Sequence, residues 1–386
     1  MNKVITSERI PVKLWLDDIE DGAMEQAVNL ARLPFAFHHV ALMPDSHVGY
    51  GMPIGGVLAT CGVVIPNAVG VDIGCGMCAV PTSVSCALYK TEQLKVAMGE
   101  IRKRVPVGFN HHASPQIWEG FHRAPHVPIV EQELVAAFRQ LGTLGGGNHF
   151  MEIQYGDDGR VWLMLHSGSR NFGLKIANEY HTKAKALCEK YYSNIPDSDL
   201  AFLPLDTQEA TEYLEAMQFA LEFAAESRLR MMMAMQDAMR FAFGNVTFYE
   251  PINVHHNYAR MENHFGSNVM VHRKGATSAR KGELGLIPGS QGTASYVVRG
   301  LGNPESFKSC SHGAGRKMGR KQACRELSLA GEIKRLDDMG VIHGIRVEKD
   351  LDEAAGAYKD IDVVMANQTD LVEIVTKLRP LAVIKG

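Results

Sequence analysis

The sequence predicts an α+β protein in which layers of helix cover β-sheet. Short apolar segments alternate with helical segments along the chain, a pattern typical of this class. The chain is 46% hydrophobic and 22% charged, which is enough apolar material for a sizeable core and unlike a disordered protein. Its 386 residues suffice for one large domain or two ordinary ones, and no internal repeat or low-complexity linker marks a boundary.

Two segments predict strands that end at polar residues. Residues 39–43 (HVALM) predict a strand that ends at Pro44 and Asp45, and residues 161–165 (VWLML) predict one that ends at His166. Polar residues at strand ends, close to glycine, are good places to assemble a functional site. The final residues 381–386 (LAVIKG) predict either a strand that delivers Lys385 to a specific place or a frayed end.

Two helices are predicted in the middle of the chain. In residues 172–188 the apolar side chains recur every four residues, on one helical face. Residues 207–243 lack Gly and Pro and are followed by Gly244, a plausible C-cap. We interpret five methionines of this second helix as adaptable core residues rather than a binding surface. They are Met231, Met232, Met233, Met235 and Met239.

Charge and cysteine content restrict the function. The net charge of −3 excludes a globally basic nucleic-acid coat, so nucleic-acid binding would need a local patch. We see no signal peptide and no apolar window long enough to span a membrane. Seven scattered cysteines do not resemble a disulfide framework, so we expect a reduced, cytoplasmic protein without a membrane partner.

The first chemically suggestive segment is residues 70–77 (GVDIGCGM). Asp72 and Cys75 are three residues apart among turn-forming glycines, so a carboxylate and a thiolate could share a metal. The alternative is a buried turn with a hydrophobic cysteine. Cys75 and Cys78 also form a C-x-x-C pair, which would suit redox chemistry or half a zinc site. A four-cysteine zinc site is excluded because no second C-x-x-C exists.

Three further segments place histidine close to glycine, serine or asparagine. In residues 144–152 (LGGGNHFME), three glycines expose N–H groups that suit phosphate oxygens, next to an amide, an imidazole and a carboxylate. Residues 165–170 (LHSGSR) and 254–258 (VHHNY) each place histidine beside polar residues in a predicted loop. A lone histidine is more often structural than a ligand, but these are not isolated.

The last segment is residues 309–316 (SCSHGAGR). Glycines after His312 leave room for a bulky group on the imidazole, and Arg316 can pair with phosphate through its planar guanidinium. Lys317, Arg320 and Lys321 extend the positive charge, although a solvated basic turn would look the same. No Walker A, G-x-S-x-G or kinase motif is present, so nucleotide would not bind through an ordinary P-loop.

Together these five segments, in this order, resemble the RtcB family of RNA ligases, and the resemblance covers essentially the whole chain. It implies a single compact domain over residues 1–386, with stacked β-sheets flanked by helices and a central dimetal cleft. It also implies a GTP-dependent ligase that joins RNA 3′-phosphate or 2′,3′-cyclic phosphate ends to 5′-hydroxyl ends. The expected partners are RNA, as tRNA halves or cleaved RNA, and an activating helper protein, and we expect a monomer.

The resemblance assigns metal and catalytic roles by position. Two manganese ions are implied, the first held by Asp72, Cys75 and His149. The second is held by Cys75, His166 and His256, so Cys75 bridges. By softness alone, this donor set would suit zinc or iron as well, and manganese rests on the resemblance. The catalytic residues it implies are His312, the nucleophile that becomes guanylylated, Asp45, which orients His312, and Arg316.

The resemblance also implies a site for GTP and GMP. The matching positions are Asn148, His149, Phe150, Met151, Glu152, His256, Asn257, Pro288, Gly289, Ser290, Gln291, Ser295, His312, Gly313, Ala314, Gly315, Tyr358 and Lys385. Positive charge from Arg170, Arg316 and Arg320 would hold RNA phosphates. Gln291 and Ala355 depart from the residues that the family more often has there, methionine and proline, which bears on substrate preference rather than on reaction type.

Two other functions fit the same residues. A dimetal phosphodiester hydrolase would use two metals with a bridging ligand and would need no GTP. A non-catalytic RNA-binding or redox module would depend on Cys75 and Cys78. Formation of a covalent guanylyl-histidine would distinguish the ligase from the hydrolase. Replacement of Cys78 should be tolerated in a ligase, in which replacement of Cys75 is not, but should abolish the function of a redox module.

Overall fold

Seventeen β-strands and nine α-helices make up the protein, in a computed structural model that describes residues 1–386. The strands are β1 Lys3–Ile5, β2 Val12–Leu14, β3 Ala36–His47, β4 Ile54–Thr60, β5 Val63–Val64, β6 Gly76–Ser85, β7 Phe150–Gly156, β8 Arg160–Ser167, β9 Leu203–Pro204, β10 Ile252–His255, β11 Asn257–His264, β12 Ser267–Lys274, β13 Ala276–Ser278, β14 Leu284–Ile287, β15 Ser295–Gly300, β16 Ser309–Ser311 and β17 Val372–Lys385. These elements confirm the predicted α+β class.

The helices are distributed along the whole chain. The α-helices are α1 Asp21–Arg32, α2 Pro66–Val69, α3 Thr91–Arg104, α4 Pro128–Gln140, α5 Asn171–Lys190, α6 Gln208–Phe243, α7 Arg320–Glu326, α8 Leu329–Asp338 and α9 Ile361–Ala366. Short 3-10 helices are Glu119–Arg123, Ser198–Leu200, Pro304–Ser306, Glu348–Glu353 and Ala355–Ala357. None of them combines the length and the apolar composition that a bilayer crossing requires.

Two large sheets organise these elements. Sheet I has six strands in the order β1-β2-β3-β4-β12-β11, and sheet II has seven in the order β10-β6-β8-β7-β17-β15-β14. All neighbours pair antiparallel except β2 and β3. Two small two-stranded sheets, β13-β16 and β5-β9, complete the structure. The order within sheet II brings together segments that are far apart in sequence.

The two large sheets stack on a shared apolar core, as predicted. One buried cluster combines Ala41, Val57 and Val269 of sheet I with Tyr296, Val298 and Val372 of sheet II. Helices cover the outer surfaces: a second cluster combines apolar side chains of α3 and α6 with those of β6, β7 and β8. Burial of apolar surface at these layers holds the two sheets in fixed relation.

The two predicted helices are confirmed. In α6 the side chain of Thr207 caps the N-terminus by accepting from the Ala210 N–H at 3.2 Å, and Gly244 ends the helix with φ of +80°. In α5 the predicted face is buried throughout, at Phe172, Ile176, Tyr180, Ala184 and Cys188. The C-terminal segment is a strand, β17, and it ends at Lys385.

Three details of the predictions were wrong. Strand β3 continues past Pro44 to His47, and its pairing with β4 is interrupted between Leu42 and His47, since proline has no N–H to offer. Strand β8 includes His166, because both neighbouring strands continue beside it. Met233 is 62% exposed, whereas the other four methionines of α6 are buried.

Two methionines of α6 therefore form a matched pair for testing the core. We expect Met235→Ala to lower the free energy of unfolding by about 2–5 kcal/mol, because it leaves a cavity at a fully buried site. Met233→Ala should change it by less than about 0.5 kcal/mol, because that side chain is mostly in water. Urea denaturation of both variants measures the difference, and equal effects would contradict this description of the core.

Candidate metal and nucleotide site

A cleft of about 670 Å³ contains most of the residues that the sequence predicted to be functional. The predicted residues that line it are Asp72, Cys75, Asn148, Phe150, Glu152, His166, His256, Asn257, Pro288, Gly289, Ser290, Gln291, His312, Gly313, Ala314, Gly315, Arg316, Tyr358 and Lys385. Four others do not line the cleft. Asp45 and His149 lie directly behind it, Met151 packs in the core, and Ser295 supports Gly289 by accepting its N–H at 3.2 Å.

The strand order of sheet II explains why the predicted metal ligands meet. Cys75 directly precedes β6, His166 lies near the end of β8, and His149 directly precedes β7. Because β8 lies between β6 and β7 and is antiparallel to both, these three positions fall at the same end of three adjacent strands. His256 joins them from the connection between β10 of sheet II and β11 of sheet I.

These residues form two groups of donor atoms with one member in common. In the first, His149 Nε2 is 3.1 Å from Asp72 Oδ2 and 3.5 Å from Cys75 Sγ. In the second, His166 Nε2 is 3.1 Å from Cys75 Sγ and 3.3 Å from His256 Nε2. Within each group all ligand atoms lie within 4.8 Å of one another.

The protonation states favour cation binding. The Nδ1 atoms of His149 and His166 donate to the carbonyls of Leu144 and Asn148, at 3.0 and 3.2 Å. Their Nε2 lone pairs are therefore directed at the sulfur of Cys75. Burial lowers the pKa of His166 well below its usual range, so its imidazole is neutral at neutral pH. The donor set thus fits two divalent cations that share the Cys75 sulfur.

The Cys75 thiol itself needs such a cation to ionise. Burial, together with the neighbouring Asp72 carboxylate, raises the pKa of this thiol well above its ordinary value. The Asp72 carboxylate packs against the backbone of residue 168, which is possible because that residue is glycine: a Cβ there would lie 2.2 Å from Asp72 Oδ1. A cation at the shared sulfur would remove the electrostatic cost of the thiolate.

Arg228, a residue that the sequence analysis missed, holds the loop that carries Cys75. Its buried guanidinium donates from Nη1 to the carbonyls of Gly74 and Ser167, at 2.8 and 3.0 Å. Its Nη2 lies 3.0 Å from His255 Nδ1, so His255 faces Arg228, whereas His256 faces the metal ligands. An arginine four residues after Ala224, on the buried face of α6, was the available signal.

His312 is held by a single carboxylate oxygen. Asp45 Oδ2 accepts hydrogen bonds from His312 Nδ1 at 2.7 Å, from the His312 backbone N–H at 3.0 Å and from the Gly313 N–H at 3.1 Å. Burial alone would raise the pKa of Asp45, but the contacts with His312 keep it below its ordinary value. Gly315, with φ of +74°, permits this approach, since a Cβ there would lie 2.2 Å from the Asp45 carbonyl oxygen.

A cluster of charged residues also lines the cleft. Glu152 of β7 and Lys385 of β17 come from paired strands, and burial raises the pKa of Glu152 to about 7. Burial also lowers the pKa of Lys385, although Glu353 opposes this effect. The sequence analysis missed Glu353, which hydrogen-bonds the hydroxyl of Tyr358 and pairs with Arg316 at 2.9 Å.

The three arginines proposed to hold RNA phosphates differ in their surroundings. Arg316 lines the cleft, but it donates to Glu353 and to the carbonyls of Met318 and Asp352. Arg320 pairs with Glu353 at 2.7 Å, and its side chain is 55% exposed. Arg170 does not line the cleft; it donates to Thr143 Oγ1 at 3.0 Å and to the Gly108 carbonyl at 2.7 Å. Of the three, Arg320 is the most accessible.

Cys78 lies in different surroundings from Cys75. It packs among the apolar side chains of α3, α6 and sheet II, and burial raises the pKa of its thiol to about 12. It does not line the cleft. The C-x-x-C pair is therefore split between a core position and a ligand position, which argues against a redox-active pair.

Comparison with known proteins identifies the family. A family model described as tRNA-splicing ligase RtcB matches residues 26–124 and 119–386. The chain is 39% identical to the RNA-splicing ligase RtcB of Escherichia coli, over all of this chain and 99% of that protein. The chain belongs to the RtcB family of RNA ligases. It is also 31% identical to the tRNA-splicing ligase RtcB of Pyrobaculum aerophilum, over 98% of this chain and 95% of that protein.

The two cysteines offer a direct test of the shared ligand in this RtcB-family protein. We expect Cys75→Ser to lose most of the bound metal, because both donor groups lose their common sulfur. Cys78→Ser should retain the wild-type metal content, since Cys78 belongs to the core. Metal analysis after manganese loading and gel filtration measures the stoichiometry, and circular dichroism checks that both variants are folded. Loss of metal only in Cys78→Ser would refute the assignment.

Glu152 predicts a specific dependence of stability on pH. Its folded pKa of about 7 lies above the ordinary value of 4.5, so the unfolded chain releases this proton at lower pH than the folded protein does. As pH rises from about 4.5 to 7, wild type should therefore lose stability relative to Glu152→Gln, and the difference should stay constant above pH 7. Urea unfolding of metal-free protein at several pH values measures it, with the exposed Glu250→Gln as a control. A pH-independent difference would contradict the burial effect.

Proposed function

We propose that this protein is a GTP- and manganese-dependent RNA ligase that joins RNA 3′-phosphate or 2′,3′-cyclic phosphate ends to 5′-hydroxyl ends through a guanylylated His312. The observation that carries the proposal is the 2.7 Å hydrogen bond between His312 Nδ1 and Asp45 Oδ2, at the wall of a cleft that also contains the two donor groups. Membership of the RtcB family supports it.

The Asp45 contact prepares His312 as a nucleophile. Because Nδ1 donates to a buried carboxylate, the other ring nitrogen, Nε2, carries the lone pair. The His312 ring lies 4.7 Å from the His256 ring, centroid to centroid, so the nucleophile is next to the second donor group. When Nε2 bonds to phosphorus the ring becomes positively charged, and Asp45 stabilises that charge.

The metal ligands are proposed to hold two manganese ions. Asp72, Cys75 and His149 would hold one, and Cys75, His166 and His256 would hold the other. When bound, the ions neutralise phosphate charge and favour departure of pyrophosphate. The choice of manganese comes from the family resemblance, because the donor set alone would also suit zinc or iron.

The guanylate is proposed to occupy the part of the cleft between His312 and Lys385. Gln291, Ala314 and Gly315 line the cleft, and their backbone N–H groups suit phosphate or base oxygens. Glu152, when ionised, can accept hydrogen bonds from the N1–H and amino groups of guanine, which adenine does not present in that pattern. The side chain of Tyr358 supplies an aromatic surface nearby.

The proposed reaction is a series of phosphoryl transfers. His312 Nε2 attacks the α-phosphorus of GTP and pyrophosphate leaves. Water opens a 2′,3′-cyclic phosphate end to a 3′-phosphate, which then takes the GMP from His312. The 5′-hydroxyl of the second RNA attacks the activated 3′-phosphate, a phosphodiester forms and GMP leaves. Arg320, which is partly exposed, is proposed to hold RNA phosphates; the physiological RNA is proposed to be tRNA halves or cleaved RNA.

Guanylylation provides the decisive test. We expect α-labelled GTP with manganese to leave an acid-labile label on wild-type protein, and His312→Ala to leave none. Asp45→Asn should lower the labelling rate by about 100-fold or more, because the Nε2 lone pair and the positive charge are no longer stabilised. Denaturing electrophoresis measures the label, and His126→Ala, at a histidine whose side chain is 97% exposed, is the matched control.

The alternatives make different predictions in the same assay. A dimetal phosphodiester hydrolase would leave wild type unlabelled while it cleaves RNA without GTP. That result in folded, metal-loaded protein would refute the ligase proposal. Label that survives His312→Ala would show that another residue is the nucleophile.

A further inference from the structure

A fully exposed phenylalanine stands beside the loop that leads into the cleft. Phe109 has 101% of its reference surface exposed, and the adjacent Asn110 and His111 are also exposed. Exposure of a single apolar side chain is common, but burial of an aromatic ring against a partner would be favourable, so the fixed geometry and the charge around Phe109 decide its role. The proposed chemistry does not use this residue.

The segment that carries Phe109 is fixed by hydrogen bonds. The Gly108 N–H donates to the Gly145 carbonyl at 3.0 Å, and the Leu144 N–H donates to the Pro106 carbonyl at 3.0 Å. Arg170 donates to the Gly108 carbonyl at 2.7 Å, and Gly108 adopts a φ of +63° that favours glycine. The exposure of Phe109 is therefore a property of a defined turn, and little conformational entropy would be lost when a partner covers the ring.

This turn contacts the segment 141–148, whose two ends line separate depressions. On one side, the glycine loop 145–147 continues into Asn148, which lines the cleft. On the other side, residues 141–142 line a second depression of about 470 Å³, together with Arg104, His112 and Arg230. A single strand of nucleic acid that leaves the cleft across the glycine loop would pass Phe109 before it reaches the second depression.

The charge around Phe109 suits a polyanion. Residues 102–112 contain three cations and no carboxylate, in a chain whose net charge is −3. Lys103 and Arg104 both pair with Glu100, and Arg230 pairs with Glu226, which also lines the second depression. Arg102 has no carboxylate within salt-bridge distance, so this end of the helix keeps a net positive charge. A cationic helix end next to an exposed aromatic ring is the combination with which proteins bind single-stranded RNA.

We propose that Phe109 is a stacking platform for a base of the RNA strand whose end lies in the cleft, and that this strand continues into the depression lined by Arg104, His112 and Arg230. The inference rests on the proposed ligase function and adds an RNA subsite to it. Stacking tolerates any base, because every base has a π face, so the platform would position RNA without reading its sequence.

Kinetics of Phe109 variants test the platform. Phe109→Ala should raise KM for single-stranded RNA substrates about 10-fold, within the range for loss of one stacked base, and leave kcat within about twofold. Phe109→Trp should restore KM, because indole also stacks. Guanylylation of His312 from GTP alone should be unchanged in both variants, since that step needs no RNA. Phe241→Ala is the matched control, at a phenylalanine on the last turn of α6 that is 66% exposed.

Fluorescence locates the stacked base. Ten-nucleotide RNAs with 2-aminopurine near either a 3′-phosphate or a 5′-hydroxyl end are added to metal-loaded protein. The platform is supported if the 2-aminopurine fluorescence is quenched by wild type and by Phe109→Trp but not by Phe109→Ala. The RNA whose fluorescence is quenched is then the strand that stacks on Phe109.

Two results would overturn the inference. The first is a KM in Phe109→Ala equal to that of wild type, which would leave this surface to another partner such as a protein. The second is an equal loss in Phe241→Ala, which would make the effect nonspecific. If wild type forms no guanylyl-histidine, the proposed ligase function fails, but the quenching experiment still decides whether Phe109 stacks on RNA.

Discussion

The position of the Cys75 sulfur is the constraint on which the rest of the site depends. It is the only donor atom common to both ligand groups, and burial opposes its ionisation unless a cation is near. The surrounding structure fixes it from several directions: Arg228 holds the loop carbonyls, and backbone carbonyls set the tautomers of His149 and His166. Such support keeps ligands in place before the metal arrives, so little rearrangement is needed on binding.

The proposed nucleophile and the proposed metal ligands belong to different parts of the fold. His166 belongs to β8 of sheet II and Cys75 directly precedes β6 of that sheet, whereas Asp45, which holds His312, belongs to β3 of sheet I. The distance between His312 and the metal ligands therefore depends on the apolar core in which the two sheets stack. His256 lies where the chain passes from one sheet to the other, so it links the two halves covalently.

The sequence predicted the local features better than the long-range ones. Glycine-rich segments with His, Cys and Asp indicated the ligand positions, and the absence of Gly and Pro indicated α6, because these signals are local. The order of strands in sheet II depends on pairing between distant segments, which no local pattern encodes. The contacts of Arg228 with Gly74 and of Glu353 with Arg316 were missed for the same reason, because these residues are distant in sequence. Met233 was misjudged because five methionines within nine residues cannot all face inward on a helix.

The interior position of β17 in sheet II, between β7 and β15, has a consequence for biosynthesis. Until β17 is made, one side of β7 has no neighbouring strand. In the folded protein Lys385 of β17 pairs there with Phe150 of β7, which is synthesised much earlier. The segments that carry Cys75, His149 and His166 can thus associate, and take up metal, while the nucleotide side of the cleft is still missing. During that interval the edge of β7 is an unpaired strand, the kind of surface to which other chains adhere. Until β17 is made, translation speed and chaperone access therefore affect how much of the chain avoids this non-native pairing.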